Sequence, residues 1–232
     1  MKTLFALHCI TKRNINDNFY NQELENLGYD ETTLLNSELP SENDYATGQV
    51  DESLIEKGRF QALFLAKQIQ ELDWRIKRIY CGNQKRCKET AQIIANNLNY
   101  PCTIIVDERI NARGYGEIAE KAMDTDKIKH FWKHKDIIMD IENMKLVALY
   151  LVSPEKIGAE TKKSFNERVK NFIFDQNNNF NESLIIAGSD TWKKIKKDNF
   201  FYLYKNEESC ELRRGQLACV DFTKQKTSNL RK

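Results

Sequence analysis

Thr3-Leu4-Phe5-Ala6-Leu7 is an apolar run without helical period, about the length of one buried strand, and it stops at a histidine. The next residues, Cys9-Ile10-Thr11-Lys12-Arg13-Asn14, form a polar and basic turn. Open α/β sheets bind ligands just beyond the carboxyl ends of their central strands. At that place His8 would face the crevice where such proteins do chemistry. From these residues alone, a histidine at such a place is more often a packed or capping one.

The rest of the chain repeats this punctuation. Residues 59–69 carry apolar side chains at 62, 63, 65, 66 and 69, one face of a helix. Arg78–Cys81 is a short strand, 82–86 a turn, and 87–98 a second helix with Ala91, Ile93, Ile94 and Leu98 inward. Thr103–Val106 is a third strand. Strand, helix, strand, helix, strand within about a hundred residues predicts a parallel sheet with crossover helices. Further on, residues 162–174 form a helix with Phe165, Val169 and Phe172 on one face, and Ser183-Leu184-Ile185-Ile186-Ala187 is the clearest strand. Ser189 or Asp190 can cap a helix that follows, whose N-terminus favours an anion. Leu217–Phe222 reads as a closing strand, with a frayed basic tail from Thr223. With no repeat or linker, residues 1–232 read as one domain with insertions at about 15–50 and 120–150. The fold class expected is a three-layer α/β/α sandwich around a mostly parallel central sheet.

Composition excludes several roles. Lys and Arg number 36 against 34 for Asp and Glu, so no global field points to nucleic acid or membrane. No apolar stretch approaches the roughly 20 residues that span a bilayer, and the first apolar run is too short for a signal peptide. Six cysteines without CxxC pairing read as reduced thiols of a cytoplasmic protein. Of the three histidines, His130 and His134 share a helical spacing that fits a solvated face better than a metal site, so no metal and no cofactor are expected.

In order along the chain, these pieces resemble the histidine phosphatase superfamily, the phosphoglycerate-mutase-like proteins. Leu7-His8-Cys9-Ile10-Thr11-Lys12-Arg13-Asn14 stands where the family has Arg-His-Gly-Glu-Thr with Asn three residues later. Leu54-Ile55-Glu56-Lys57-Gly58-Arg59-Phe60-Gln61-Ala62 is similar to "L-T-E-K-G-R-x-Q-A". Lys85-Arg86-Cys87-Lys88-Glu89-Thr90-Ala91 resembles the end of "S-x-L-K-R-A-x-x-T-A". Ile110–Gly116 resembles "L-N-E-R-H-Y-G", Gly158-Ala159-Glu160 with Phe165 and Arg168 resembles "G-G-E-S" and its helix, and Ile185–Asp190 falls where "V-V-S-H-G" ends the late strand. The resemblance implies a phosphate pocket in which His8 is the phosphoryl-accepting nucleophile and Arg86 a catalytic arginine. Thr11 and Asn14 would line the pocket, Arg113 would serve the substrate side, and Ser189 would stand where a second histidine is usual.

Three positions depart from the family pattern. Leu7 replaces an arginine, Ala112 a glutamate acid and Ser189 the second histidine, while Cys9 and Ile10 make the turn bulkier. Leu7 brings neither charge nor donor, Ser189 no charge, and Ala112 no proton. Lys12 or Arg13 could supply charge, and Glu117 or Asp190 a proton. The implied function is binding of a phosphorylated small molecule or phosphate at a degraded site with weak or no phosphatase activity. The alternative is an active, divergent phosphomonoesterase working through phospho-His8. The sequence is silent on oligomeric state, and a homodimer is compatible with it.

Overall fold

The computed structural model describes residues 2–11, 48–72, 74–120, 141–175, 180–203, 212 and 214–225. Their elements run β1 (Lys2–Leu7), α1 (Glu56–Glu71), β2 (Arg78–Cys81), α2 (Lys85–Asn97), β3 (Thr103–Val106), α3 (Glu117–Glu120), α4 (Ile141–Val152), α5 (Lys162–Phe174), β4 (Ser183–Ala187), α6 (Ser189–Asp198), β5 (Asn199–Leu203) and β6 (Leu217–Gln225). Two 3-10 turns, Glu108–Ile110 and Pro154–Ile157, punctuate the loops.

The six strands form one sheet in the order β3-β2-β4-β1-β6-β5. Strands β3, β2, β4 and β1 are mutually parallel, and β6 is antiparallel to both β1 and β5. β5 therefore runs with β1, and β6 alone runs against the rest.

Alternation along the strands divides the apolar side chains between two cores, as the period of two requires. Leu4, Ala6, Ile79, Cys81, Leu184 and Ile186 pack with Leu65, Ile69 and Ile94, on the face covered by α1 and α2. Phe5, Leu7, Tyr80, Ile185 and Ala187 pack with Phe165, Val169, Phe172, Trp192 and Ile195, on the face covered by α5 and α6. The result is the expected three-layer sandwich with its mostly parallel sheet.

The sequence reading missed β5 and ended the last strand too early. Asn199-Phe200-Phe201-Tyr202-Leu203 pairs only with β6, and β6 runs on to Gln225, so Thr223 belongs to a strand rather than to a frayed tail. The polar excursion before Gly48, His130, His134 and most of the 120–150 insertion lie outside the described residues. Of that insertion, Ile141 to Tyr150 is helical within α4.

Candidate active site

β1 ends at the crest of the sheet, and the next residue is His8. Its backbone N–H donates to the Ala187 carbonyl at 3.0 Å, extending the β1–β4 ladder by one step. Its ring is 5% exposed, with Nδ1 2.9 Å from the Cys9 carbonyl. A carbonyl only accepts, so Nδ1 carries the proton and Nε2 keeps a lone pair. Arg86 Nε donates to that Nε2 at 3.2 Å. Burial, then the Arg86 charge, then the Arg214 charge push the His8 pKa well below its ordinary 6.5, against the Cys9 hydrogen bond. His8 is a neutral imidazole at physiological pH.

The turn after His8 is held from two helices. Cys9 N–H donates to Thr90 Oγ1 at 3.1 Å, and that hydroxyl donates to the Arg86 carbonyl at 2.7 Å. Ile10 N–H donates to Gln61 Oε1 at 3.1 Å, and the Ile10 carbonyl accepts from Ile55 N–H at 3.2 Å. Gly58 lets the start of α1 sit against this turn, since a Cβ there would overlap the Ile10 carbonyl. Thr11 is fully buried and bridged to Leu54 across the same turn. Burial pushes the Cys9 thiol up to about 12, so it stays protonated and serves packing.

Arg86 opens α2 and is 1% exposed. Its Nη1 donates to the Val50 carbonyl and its Nη2 to the Gly48 carbonyl, each at 2.6 Å. Residues 48–51 thus lie across the guanidinium, anchored further by Asp51 accepting from Lys85 N–H at 2.6 Å and by Gln49 Nε2 donating to the Ala112 carbonyl at 3.3 Å. Burial lowers the Arg86 pKa, while nearby Cys87 and Glu52 act the other way, and the group remains a cation.

Across the crest, β1 and β4 are in register at Leu7 and Ala187. One further step sets Gly188 beside His8. Ser189 comes one residue later, opens α6 and is exposed. A Cβ on Gly188 would lie 3.5 Å from Ala112 Cβ, so two small residues face each other on this side of His8.

The 109–116 loop owes its shape to Arg168. That side chain forms a bidentate pair with Glu160 at 2.7 and 2.8 Å and donates to the carbonyls of Arg109, Asn111 and Ala112 at 2.8, 2.8 and 3.0 Å. Arg113 donates to the Glu160 carbonyl at 2.9 Å and lies over the Tyr115 and Tyr150 rings at 5.9 and 5.3 Å. Tyr115 Oη donates to Asp190 Oδ2 at 2.9 Å. Glu117 is exposed at the start of α3.

The structure brings His8, Arg86 and the Thr11 turn together and places Arg113 on the neighbouring loop. Asn14, Lys12 and Arg13 lie outside the described residues. Sequence reasoning missed Arg214, whose charge acts on His8, Cys9 and Arg86 alike. The available signal was an arginine pair and a glycine, Arg213-Arg214-Gly215, just ahead of the closing apolar run. Among the described residues, no group of three or more His, Cys, Asp or Glu is placed to hold a metal ion, and no helix is long and apolar enough to cross a membrane.

A sheet of this order, with a histidine at the end of β1 and an arginine opening the helix after β2, defines a phosphoglycerate-mutase-like α/β protein. The chain belongs to the histidine phosphatase superfamily, branch 1, whose family model matches residues 37–191. His8 lies ahead of the matched stretch. A candidate phosphatase of Schizosaccharomyces pombe is 38% identical over 71 residues, 31% of this chain and 32% of that protein, so the match spans about a third of the relative's length. Among solved structures, a protein from Thermus thermophilus aligns over 96% of this chain and 94% of its own, with a TM-score of 0.53 at 13% identity. The alpha-ribazole phosphatase of Shigella flexneri aligns over 83% of this chain and 76% of its own, with a TM-score of 0.51 at 15% identity. These structural likenesses establish the fold.

Proposed function

We propose that this chain binds a phosphorylated small molecule at His8 and Arg86, and that it turns the ester over weakly because the described residues around His8 offer no proton donor for the leaving group. The observation that carries this reading is the fixed tautomer of His8. Nδ1–H is committed to the Cys9 carbonyl, which leaves the Nε2 lone pair directed at a buried guanidinium. A neutral imidazole held this way is a competent phosphoryl acceptor. An arriving phosphoryl oxygen would offer Arg86 Nε–H a charged acceptor in place of Nε2 and so free the lone pair.

In the transfer step, Nε2 forms a bond to phosphorus as the bond from phosphorus to the ester oxygen breaks. Nδ1–H stays on the Cys9 carbonyl, and the positive charge gained by the ring is shared with the phosphoryl oxygens bound by Arg86. Water then hydrolyses phospho-His8, which restores the imidazole. Ala112 has no proton to give, and Gly188 and Ser189 carry no imidazole. With no such donor among the described residues, the leaving oxygen departs as an anion on this reading, which favours acidic phenols and disfavours alkyl alcohols. The free thiols at Cys9, Cys81, Cys87, Cys102 and Cys219 support a reducing, cytoplasmic setting.

Turnover of a nitrophenyl phosphate beside an alkyl phosphate, in the native chain and in His8→Ala, tests the proposal. Slow aryl hydrolysis that His8→Ala abolishes, with far slower alkyl hydrolysis, is the expected result. Equal rates on both esters would remove the missing-acid argument. Activity that survives His8→Ala would remove phospho-His8.

A further inference from the structure

We infer that Arg214, on the turn into β6, supplies the second guanidinium of the phosphate site and takes over the task that Leu7 cannot perform. The inference rests on the functional reading above and adds a residue to its anion pocket.

The placement follows from strand register. β6 is antiparallel to β1, with Leu217 opposite Ala6. β6 begins at Leu217, so the turn that leads into it, with Arg214 and Gly215, lies at the end of the sheet where His8 follows β1. Gly215 takes a positive φ of 81°, the left-handed conformation that turns the chain here at no steric cost to glycine. Its carbonyl accepts from Gln68 Nε2 at 3.2 Å, which ties the turn to α1. Arg214 is partly buried on this turn, with its Nε out of solvent. His8 thus has Gly188 on its β4 side and the Arg214 turn on its β6 side.

Charge supports the same assignment. Leu7 is buried with Phe5 and Trp192 in the core beneath the crest, so β1 itself sends no cation upward. Arg214 and Arg86 both act on His8, and Arg214 also lowers the pKa of Arg86. Two guanidinium groups held close in a partly desolvated site repel each other. A phosphate dianion between them would convert that repulsion into two charge-assisted contacts.

The experiment is phosphate and orthovanadate binding by calorimetry to the native chain, Arg214→Gln and Arg214→Lys, with His8 titrated by NMR in each. Arg214→Gln is expected to weaken binding by roughly tenfold to a hundredfold and to raise the His8 pKa towards its ordinary value, with partial recovery of both in Arg214→Lys. Native binding that is unchanged in Arg214→Gln, with an unmoved His8 pKa, overturns the inference while leaving the functional reading intact. A native chain that binds neither anion overturns the functional reading and this inference with it. Should Arg214→Gln fail to fold, Arg214→Lys decides: a several-fold loss of phosphate affinity with the His8 pKa still held low supports the inference, and affinity equal to that of the native chain overturns it.

Discussion

Arg86 Nε donates to His8 Nε2 at 3.2 Å across a separation of 78 residues, placing the cation and the basic nitrogen of the site in direct contact. The bond orients the imidazole and occupies its lone pair at once, and under the proposed function an arriving anion would displace it. Removing the guanidinium should show both effects. Arg86→Gln is expected to raise the His8 pKa, because Arg86 is the largest charge lowering it, and to cut phosphate affinity by about tenfold or more. NMR titration and calorimetry read the two separately. An unmoved pKa would contradict the electrostatic account.

Stability should depend on pH through His8. Its folded-state pKa is lowered, chiefly by burial, so between that value and 6.5 the unfolded chain binds more protons than the folded one. This contribution is complete above about pH 6.5 and is lost as pH falls towards the folded value. Urea midpoints from about pH 7.5 to about pH 5 should decline in the native chain and decline less in His8→Asn. Parallel slopes in the two proteins would show that His8 is not the group responsible.

Gly58→Ala should cost about 1–3 kcal/mol, since the added methyl meets the Ile10 carbonyl rather than a movable side chain. The same change pushes on the turn that carries His8 and should lower aryl phosphate turnover beyond any loss of folded protein. Urea unfolding and rate per folded molecule distinguish the two effects.

Arg168→Ala should destabilise the chain by about 2–3 kcal/mol, because it removes the ion-pair partner of Glu160 and a donor to each of three loop carbonyls. Arg168→Lys should recover little, as an ammonium cannot reproduce the planar fork. Denaturant melts of both variants test this.

Ala112→Glu places a carboxyl beside Gly188 and, under the proposed function, should raise alkyl phosphate turnover by about tenfold or more while changing aryl turnover less. A uniform change for both esters would argue that leaving-group protonation does not limit the rate.

Much of this protein was legible from residue pattern. Arg78–Cys81, Ser183–Ala187 and the helix Lys162–Phe174 fall where the apolar residues set them, because burial on two sheet faces or one helix face imposes a pattern that survives in one dimension, and Thr103–Val106, a partly exposed edge strand, is legible from its β-branched run. The resemblance in motif order reached the family through segments such as Lys85–Ala91, although the crest residues Leu7, Ala112 and Ser189 depart from its pattern.

Tertiary structure alone decided the rest. β5 is an edge strand whose pairing with β6 exists only once the sheet is assembled, so Asn199–Leu203 carried no strand signal beyond its aromatic residues. Register between β1 and β4, which no single strand encodes, set Gly188 rather than Ser189 beside His8. The carbonyls of Gly48 and Val50 on Arg86, and the arrival of Arg214 from the far end of the chain, are meetings of distant segments. Sequence records which groups can carry charge or a proton. Which of them share a desolvated site, and therefore shift one another's pKa, is a property of the folded chain.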